Sequence, residues 1–516
     1  MPEQPEVTHF DVLIIGAGST GSVLAARLSA DPACRVGVLE AGEPPRDPDI
    51  ARPEQWPFIQ GRDYDWQFVT AAQAGTANRV HPWPRGKIVG GSSCLHAMAH
   101  VRGHPDDFAP WVEATGDARW HYRNLLPYFI RSESFSGGAS DIHGDSGPMP
   151  VWLPQDELSP VVRAYMQAGL DFGVPYRGDH NGWQLNGVAA NSLTIRHGRR
   201  VSTADAWLTP ALSRDNLRLF TGVMVETLSL TAGRVTAVNT QHDGRMKRFT
   251  AERIILCAGA IASPLLLMRS GIGPATTLQA AGVNCRHGLP WVGENLHDHL
   301  LGAGNVYTAR RPVPPTRLQH SESLMYLNST DPTVEQGPPD VVLGCVAAAS
   351  VAEGFISPAP GSAFTLLFGV THPTSRGRLA IVSADSRATP FIDPAYLHSE
   401  HDRQAFVRAL TLARAIGGGR ALKEWRETEY LPGVEIKDDA QLNHFIARAA
   451  ITHHHPVGTC QMGRDAATSV VDGRLKVHGV DNVWIVDASA IPCITSGPIH
   501  AALLAMAESF AADFWS

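Results

Sequence analysis

The chain has little of what marks disulfide scaffolds, membrane proteins or nucleic-acid-binding proteins. Its seven cysteines are scattered over 516 residues, odd in number and free of CxxC spacing, which predicts reduced thiols and argues against a disulfide framework or a zinc ribbon. No apolar run approaches the length that spans a membrane. The formal charge of −7 provides no basic surface for nucleic acid.

The chain also lacks internal repeats and any segment that resembles a targeting signal. Residues 1–11, MPEQPEVTHFD, lead directly into the first apolar strand and leave no room for a signal peptide, so we expect a cytoplasmic protein. At 516 residues the chain exceeds one ordinary hydrophobic core, which predicts more than one domain. Its 48 glycines and 37 prolines predict many turns and long ordered loops.

The strongest local signal lies close to the N-terminus. The apolar run Val12–Ile15 meets a G-x-G-x-x-G motif, followed by a helical segment and a second apolar strand that ends on Glu40. In this motif Gly16 permits a tight turn, Gly18 allows the backbone to approach a pyrophosphate, and Gly21 lets helix and sheet pack closely. The helix N-terminus offers free N–H groups to phosphates. Together these features predict a βαβ unit that binds a dinucleotide. Glu40 is placed to accept hydrogen bonds from a ribose diol, and because a carboxylate there disfavours a 2′-phosphate, we expect a dinucleotide other than NADP.

Three later segments carry weaker signals of the same kind. The GGSS sequence at 90–93 combines close backbone approach with hydroxyl donors, or forms a turn that caps a helix. The apolar strand Ile254–Cys257 ends in small residues, which again lets backbone lie near a ligand. Asp487 follows the apolar strand Val483–Val486, so it lies either at the ligand crevice of a doubly wound sheet or at the N-cap of the next segment.

Three consecutive histidines occupy positions 453–455. If residues 452–457 are extended, His453 and His455 share one face and the middle ring points to the other, so the three cannot converge on one metal ion. A metal would need further ligands, and the HDH sequence at 297–299 is the other candidate cluster, but we expect no metal. We favour acid–base chemistry, in which a neutral imidazole takes a proton from an alcohol and His500 is the partner that orients the substrate oxygen.

Five segments together resemble the glucose–methanol–choline (GMC) oxidoreductases, a family of FAD-dependent enzymes that act on alcohols. The resemblance extends along nearly the whole chain. The segments are GAGSTG with LEAG near the N-terminus, GKIVGGSS at 86–93, GAIASPLLLMRSGIG at 259–273, VGENLHDH at 292–299, and HPVGTCQMG followed by the ending DAS…GPIHAALLAMAE.

The resemblance implies a two-part fold of class α/β plus α+β. A Rossmann-type FAD-binding domain would comprise residues 1–150, 200–300 and 451–516. A substrate-binding domain would comprise residues 151–199 and 301–450, built on an antiparallel sheet flanked by helices. The pattern of residues 300–450, apolar stretches followed by a long helical segment, also indicates a separate sheet with helices on one side. A strongly amphipathic C-terminal helix is expected.

The resemblance further implies FAD rather than NAD, with the ADP moiety on the G-x-G-x-x-G turn, the adenine near the backbone of Val225 and the isoalloxazine ring near 90–96 and 487–500. His455 matches the family's catalytic histidine, and His500 matches its His or Asn partner. The implied reaction converts a primary alcohol to its aldehyde, with hydride passing to flavin N5. The implied cofactor-binding residues are Gly16, Gly18, Ser19, Thr20, Gly21, Glu40, Ala41, Gly90, Gly91, Ser92, Ser93, Leu95, His96, Ala97, Val225, Asp487, Ala488 and Pro498.

Four positions bear on this expectation. Some relatives tether FAD covalently through a histidine where this chain has Leu95, so we expect non-covalent FAD. His96 stands where relatives often have Asn, and its consequence is open, as is that of the neighbouring Cys94. His453 shares a face with His455, a pairing similar to that of members that oxidise pyridine methanols, so an aromatic or pyridine methanol such as pyridoxine is a candidate substrate.

Several alternatives stay open at this point. An NAD-linked dehydrogenase would share the G-x-G-x-x-G motif but gives no reason for the GGSS loop or the Asp487 strand. A non-catalytic flavin-binding protein would not need His455 and His500. A hydroxynitrile lyase of the same fold would release cyanide without net flavin reduction. The electron acceptor, oxygen or another molecule, and the oligomeric state are not determined.

Overall fold

The computed structural model describes residues 7–515. The expectation that the chain has no signal peptide concerns residues 1–11, and most of these lie outside the described residues. Within that range, no helix combines the length and the apolar character needed to cross a bilayer. The α-helices are α1 (Ser19–Leu28), α2 (Ala109–Thr115), α3 (Tyr122–Ser132), α4 (Pro160–Asp171), α5 (Thr209–Ala211), α6 (Gly259–Arg269), α7 (Ala275–Ala280), α8 (Glu400–Gly417), α9 (Asp439–Ala449) and α10 (His500–Asp513).

Most strands belong to two seven-stranded sheets. Their strands are β1 (Val7–Ile15), β2 (Val36–Leu39), β3 (Gly187–Ala190), β4 (Leu217–Phe220), β5 (Met224–Thr231), β6 (Arg234–His242), β7 (Arg245–Leu256), β8 (Leu300–Ala309), β9 (Ser321–Leu327), β10 (Val341–Val346), β11 (Ala363–Val370), β12 (Arg426–Leu431), β13 (Ala450–Thr452) and β14 (Val483–Ile485). The short two-stranded pairs are Phe68–Val69 with Pro82–Trp83, Glu133–Phe135 with Met149–Val151, Ile195–Arg196 with Arg199–Arg200, Ile272–Gly273 with His287–Gly288, and Arg378–Ala380 with Phe391–Asp393.

The first sheet has the order β4-β2-β1-β7-β6-β5, with β14 also paired to β7. The strands β4, β2, β1, β7 and β14 run parallel, whereas β5 and β6 form an antiparallel extension. Residues Val12–Ile15 of β1 are buried, as expected for a parallel strand that is covered on both faces. This arrangement confirms the predicted Rossmann-type sheet.

The second sheet has the order β12-β8-β11-β10-β9-β3, with β13 also paired to β8. All of these pairs are antiparallel, which confirms the predicted antiparallel sheet. Helices α4 and α8 pack on it, with α8 lying against β8, β10 and β11. The side chains of the other face therefore remain available to line a cavity.

The carboxyl ends of the parallel strands are tightly packed. Gly16, directly after β1, has a φ of +103°, and a Cβ there would lie 2.5 Å from the carbonyl oxygen of Cys257, directly after β7. A Cβ on Gly21 in α1 would lie 1.9 Å from the carbonyl oxygen of Gly16. Only glycine fits these two positions, so the turn between β1 and α1 is pressed against the end of β7.

Helix α10 differs from expectation. Every residue from His500 to Phe510 is buried, including Glu508, because α10 packs between α1 and α3. The prediction of an amphipathic helix was wrong in this respect. Glu508 is compensated by an ion pair with Arg27 and by a hydrogen bond from the Trp207 indole.

Candidate active site

A cavity of about 670 Å³ lies between the carboxyl ends of the parallel strands and the open face of the second sheet. Its volume is within the range of small-molecule and cofactor sites. At one end it is lined by Gly16, Glu40 and Val225, and at the other by Leu324 and Val342. The cavity therefore joins the predicted dinucleotide site to the second sheet.

Most of the predicted site residues line this cavity. The catalytic candidates His453, His455 and His500 all reach it. The predicted cofactor-binding residues that reach it are Gly16, Gly18, Ser19, Thr20, Glu40, Ala41, Gly91, Ser92, Leu95, His96, Ala97, Val225, Asp487, Ala488 and Pro498.

Gly21, Gly90 and Ser93 support the wall from behind. Gly21 packs on the turn after β1 as described above. Gly90 has a φ of +101°, and a Cβ there would lie 2.7 Å from Cys94 Sγ. Ser93 Oγ donates to the carbonyl of Gly90 at 2.6 Å and accepts from the backbone N–H of Thr203 at 2.9 Å. Gly90 and Ser93 thus shape the GGSS loop, and Gly21 shapes the turn before α1, without any of the three lining the cavity.

The backbone leading to the histidines changes direction at His454. The strand β13 ends at Thr452, and His454 has a φ of +66°, so the extended run through Val457, on which the assignment of faces depended, is not formed. The rings of His453 and His455 nevertheless meet, with centroids 4.4 Å apart, because the left-handed residue between them turns the chain. His454 Nδ1 is buried without a hydrogen-bond partner among the described residues.

Asp298 and Thr452 fix the position of His455. The backbone N–H of His455 donates to Asp298 Oδ1 at 2.6 Å, while Oδ2 accepts the Thr452 hydroxyl at 2.6 Å and the Tyr396 hydroxyl. Burial raises the pKa of Asp298, and the nearby Arg85 guanidinium opposes that shift. The carboxylate thus links three segments that are distant in sequence.

The ring of His455 contacts His299, a residue that sequence reasoning considered as a possible metal ligand and as the end of the VGENLHDH segment. Their Nδ1 atoms are 3.0 Å apart, and His299 Nε2 lies 2.8 Å from the carbonyl oxygen of Thr371. Burial lowers the pKa of His299 to about 4 and holds the pKa of His455 well below its ordinary value, with His453 and His299 adding to the latter shift. Both rings are therefore neutral at pH 7.

His299, His453 and His455 are also grouped closely enough to hold a metal ion, with one nitrogen of each within 4.8 Å of the others. Sequence reasoning treated the histidines at 453–455 and 297–299 as separate clusters and did not see this convergence. A hydrogen bond between the Nδ1 atoms of His299 and His455 already occupies one nitrogen of each ring. The expectation of a metal-free site stays a prediction.

His500 and His96 form a second pair of rings in the cavity wall, with centroids 4.7 Å apart. His500 Nε2 lies 3.2 Å from the Thr203 hydroxyl, and burial lowers the pKa of His500 to about 3. The Arg200 guanidinium and the backbone N–H of Met98 both donate to His96 Nδ1 at 3.0 Å. Since burial keeps His96 neutral, its hydrogen is on Nε2, which has no partner within residues 7–515.

Comparison with known proteins identifies the family. Models of the GMC oxidoreductase family match residues 10–301 and 373–507. The chain belongs to the GMC oxidoreductases. FAD is therefore its cofactor, and the CH–OH group of an alcohol is the donor that it oxidises.

Three relatives illustrate the similarity. The chain is 50% identical to pyridoxine 4-oxidase of Microbacterium luteolum over 509 residues, which covers 98% of this chain and 100% of the relative. It is 36% identical to oxygen-dependent choline dehydrogenase of Proteus mirabilis, with 97% and 95% covered. The crystal structure of pyridoxine 4-oxidase from Mesorbium loti has a TM-score of 0.96 and 52% identity, covering 98% of this chain and 99% of that one. These comparisons give no support to an NAD-linked dehydrogenase or a non-catalytic protein.

The glycine loops of this GMC oxidoreductase fit a pyrophosphate. Gly91 has a φ of +55°, and a Cβ there would lie 2.7 Å from the Cα of Gly18. The two loops therefore touch at backbone level, in front of the N-terminus of α1. This leaves backbone N–H groups rather than side chains to face the phosphates of FAD.

Glu40 braces the same region. Its Oε2 accepts the backbone N–H of Ala17 and its Oε1 that of Gly42, both at 2.8 Å, and burial raises its pKa to about 7. Each carboxylate oxygen can accept a further hydrogen bond. Glu40 can thus bind the ribose hydroxyls of FAD while it holds the turn in place.

The side chain of Asp487 serves mainly as a cap. Its Oδ1 accepts the N–H and hydroxyl of Ser489 at 2.9 and 2.5 Å, and its Oδ2 accepts Gly259 N–H and Ser263 Oγ at 2.8 and 2.6 Å. Its carboxylate forms the N-cap of the next segment, and the residue also lines the cavity beyond the end of β14, so both alternatives hold for Asp487.

Arg85 was not singled out by sequence reasoning. Its Nε and Nη2 atoms are buried with no hydrogen-bond partner in the described part of the chain, and the residue lines the cavity. Burial lowers the pKa of its guanidinium, and Asp298 and Asp65 oppose that shift. An unpaired cation in the wall fits an anionic cofactor, since guanidinium groups bind phosphate and other oxyanions well.

Proposed function

We propose that this GMC oxidoreductase oxidises the hydroxymethyl group of a pyridine methanol, pyridoxine being the candidate, to the aldehyde. The observation that carries the proposal is that one cavity contains the glycine loops suited to FAD, the neutral ring of His455 and an apolar face of the second sheet. The 50% sequence identity with pyridoxine 4-oxidase, over the whole length of that relative, supports the choice of a pyridine ring in the substrate.

His455 is the proposed base. Its ring is neutral and lines the cavity, so it can take the proton of the substrate hydroxyl. FAD, when bound, supplies the acceptor for the two electrons that leave the alcohol carbon. The contacts of Asp298 with the backbone of His455 keep the ring in place while the proton moves.

His500 and His453 are the proposed substrate-orienting residues. His500 Nδ1 is buried with no partner in the described part of the chain, and its other nitrogen is engaged by Thr203, which fixes the ring. His453 lies against His455 and faces the same cavity. A hydroxyl oxygen between these rings would have an acceptor for its proton and a neighbour to align it.

The apolar face suits a flat aromatic ring. Leu301, Leu324, Val342, Leu367 and Ile451 belong to one apolar cluster and line the cavity. Apolar walls with few polar groups are typical of sites that bury an aromatic ligand. The polar substituents of a pyridine methanol would then lie toward the histidines.

We also propose that FAD is bound without a covalent tether. Leu95 has no nucleophilic atom, and its neighbour Cys94 is buried, donates to the carbonyl of Val89 and has its pKa raised to about 12 by burial. A neutral, buried thiol is a poor nucleophile. His96, the other neighbour, has Nδ1 engaged by Arg200 and Met98.

Three broader features belong to the same proposal. Molecular oxygen is the proposed electron acceptor. The names of pyridoxine 4-oxidase and oxygen-dependent choline dehydrogenase indicate this acceptor for those two proteins. A cytoplasmic location is supported by seven free cysteines. The proposed FAD-binding domain comprises 1–150, 200–300 and 451–516, and the substrate-binding domain 151–199 and 301–450.

The test is anaerobic reduction of the flavin spectrum by pyridoxine, with benzyl alcohol and choline as comparison substrates, followed by admission of air. We expect pyridoxine to bleach the flavin fastest and air to restore its colour rapidly. Faster bleaching by choline would overturn the substrate assignment. Bleaching by pyridoxine with slow recovery in air would overturn oxygen as the acceptor and leave the substrate assignment intact.

A further inference from the structure

A line of hydrogen-bonding groups runs from the cavity into the protein interior. His455 Nδ1 lies 3.0 Å from His299 Nδ1, and the other nitrogen of His299 lies 2.8 Å from the carbonyl oxygen of Thr371. His299 is buried, with 4% of its surface exposed. The line therefore ends on a backbone group that solvent does not compete for.

The chemistry of the last group decides where every hydrogen lies. A carbonyl oxygen only accepts, so His299 Nε2 must carry the hydrogen that bonds Thr371. A neutral imidazole has one N–H, so His299 Nδ1 is an acceptor. The facing atom, His455 Nδ1, must then donate, and the Nε2 atom of neutral His455 is left with a free lone pair.

We propose that His299 is a positioning residue that fixes the hydrogen of His455 on Nδ1 and thereby makes His455 Nε2 the atom that takes the substrate proton. This inference rests on the proposed role of His455 as base. It adds the identity of the accepting nitrogen and the residue that determines it. When His455 becomes protonated, its Nδ1–H remains bonded to His299, which stabilises the cation that forms.

The same segment holds the backbone of the histidine region. The His453 N–H donates to the carbonyl of His299 at 2.9 Å, and Asp298 accepts the His455 N–H. Residues 298 and 299 therefore fix both the chain and the ring of the base. Because the backbone and the ring of His455 are both held, the ring cannot rotate to exchange its two nitrogens without breaking these contacts.

The charged and titratable neighbours of the pair come from several elements. His453, His454 and Arg85 face His455 and disfavour its protonation. His372 and Asp107 act on His299 with opposite signs. Loss of the His299 acceptor should therefore shift the acid limb of the pH–rate profile as well as lower the maximal rate of flavin reduction.

The variants His299→Asn and His299→Leu form a matched pair, because both side chains branch at the same carbon but only Asn can accept a hydrogen bond there. Flavin reduction by pyridoxine should fall about 10- to 100-fold in His299→Leu, with a smaller change in the substrate dissociation constant, and Asn should restore much of the rate. The acid limb should shift in the Leu variant. Equal losses in the two variants, or no loss in Leu, would overturn the proposal.

Neutron diffraction from deuterium-exchanged crystals of the wild-type holoenzyme tests the hydrogen positions without any variant. We expect deuterium on His455 Nδ1 and on His299 Nε2. Deuterium on His455 Nε2 in the free enzyme would overturn the proposal. Failure of the proposed function is distinguishable: if pyridoxine is not a substrate, the neutron result is unaffected, and if His455→Ala keeps full activity, the base role fails whatever the hydrogen positions.

Discussion

The carboxylate of Asp298 accepts the backbone N–H of His455 at 2.6 Å, although the two residues are 157 positions apart in the sequence. The same carboxylate also accepts the hydroxyls of Thr452 and Tyr396. Asp298 thus joins the segment before β8 to the histidine segment after β13. The position of the proposed base depends on this junction as well as on the histidine itself.

Substitution His455→Ala should lower the rate of flavin reduction by about 10²- to 10⁴-fold, because the proton acceptor is lost. Rapid-mixing absorbance under anaerobic conditions measures this step directly. His444→Ala, on the exposed side of α9, is the matched control and should keep the wild-type rate. A near-unchanged reduction rate in His455→Ala would remove the residue from the role of base.

Substitution Asp298→Asn should destabilise the protein by about 1–3 kcal/mol, because the new amide group cannot accept all three hydrogen bonds that the carboxylate accepts. The flavin reduction rate should fall as well, since the backbone of His455 is released. Thermal unfolding and rapid mixing measure the two effects. Asp141→Asn, at an exposed position, is the control. Wild-type stability and rate in Asp298→Asn would contradict the proposed junction.

The pH profile of flavin reduction should stay flat to well below pH 6.5. The base acts in its neutral form, and burial moves the pKa of His455 well below its ordinary value and that of His299 to about 4. A lowered pKa keeps an imidazole neutral to lower pH, so the loss of rate is displaced toward acid. A rate that falls with an apparent pKa of 6.5 or higher would be inconsistent with this environment.

Glu40 should make the FAD-depleted protein less stable as pH rises from about 4.5 to about 7. Burial raises the folded-state pKa to about 7 from 4.5, so the folded protein retains a proton that the unfolded chain has lost. The resulting slope is about 1.4 kcal/mol per pH unit at most, and it ends above pH 7. Urea unfolding at several pH values should show this slope in the wild type and its loss in Glu40→Gln. Identical slopes in both proteins would argue against a raised pKa.

Acid precipitation of the purified protein should leave the flavin in the supernatant, because neither Leu95 nor the buried Cys94 can form a tether. The absorbance spectra of supernatant and pellet measure the partition. A denatured but otherwise untreated sample gives the total flavin. Yellow colour retained in the washed pellet would mean that another side chain binds FAD covalently.

Local chemistry explains what could be predicted from the sequence. The turn at Gly16 and the buried parallel strands follow from glycine spacing and apolar patterning, and the structure confirms them. Apolar patterning also indicated a separate second sheet, whereas its antiparallel character was implied by the resemblance to the family. The shared cavity position of His453 and His455 was also predicted, but for the wrong backbone reason, since His454 adopts a left-handed conformation. One sequence does not reveal such a conformation when the residue is not glycine.

The missed residues depend on contacts between distant segments. The role of His299 requires its proximity to His455 and to the Thr371 carbonyl, and no spacing rule relates these three positions. Arg85 stands out only because its Nε and Nη2 atoms are buried without a partner in the described chain. The nearest sequence signal was the HDH run at 297–299, which was considered as a possible metal cluster and not as a support for the base.

Part of the apolar wall lies on strands of the second sheet that carry none of the groups that hold the base. Asp298 and His299 precede β8 and Thr371 follows β11, whereas Leu324 and Val342 lie in β9 and β10. Leu324 and Val342 are therefore separate from the groups that act in proton transfer, whereas the other wall residues adjoin those groups on β8, β11 and β13. The shape of the substrate pocket can be redesigned through side chains in β9 and β10 while the groups that act in proton transfer stay intact. These two strands are therefore the natural place to engineer new alcohol specificities.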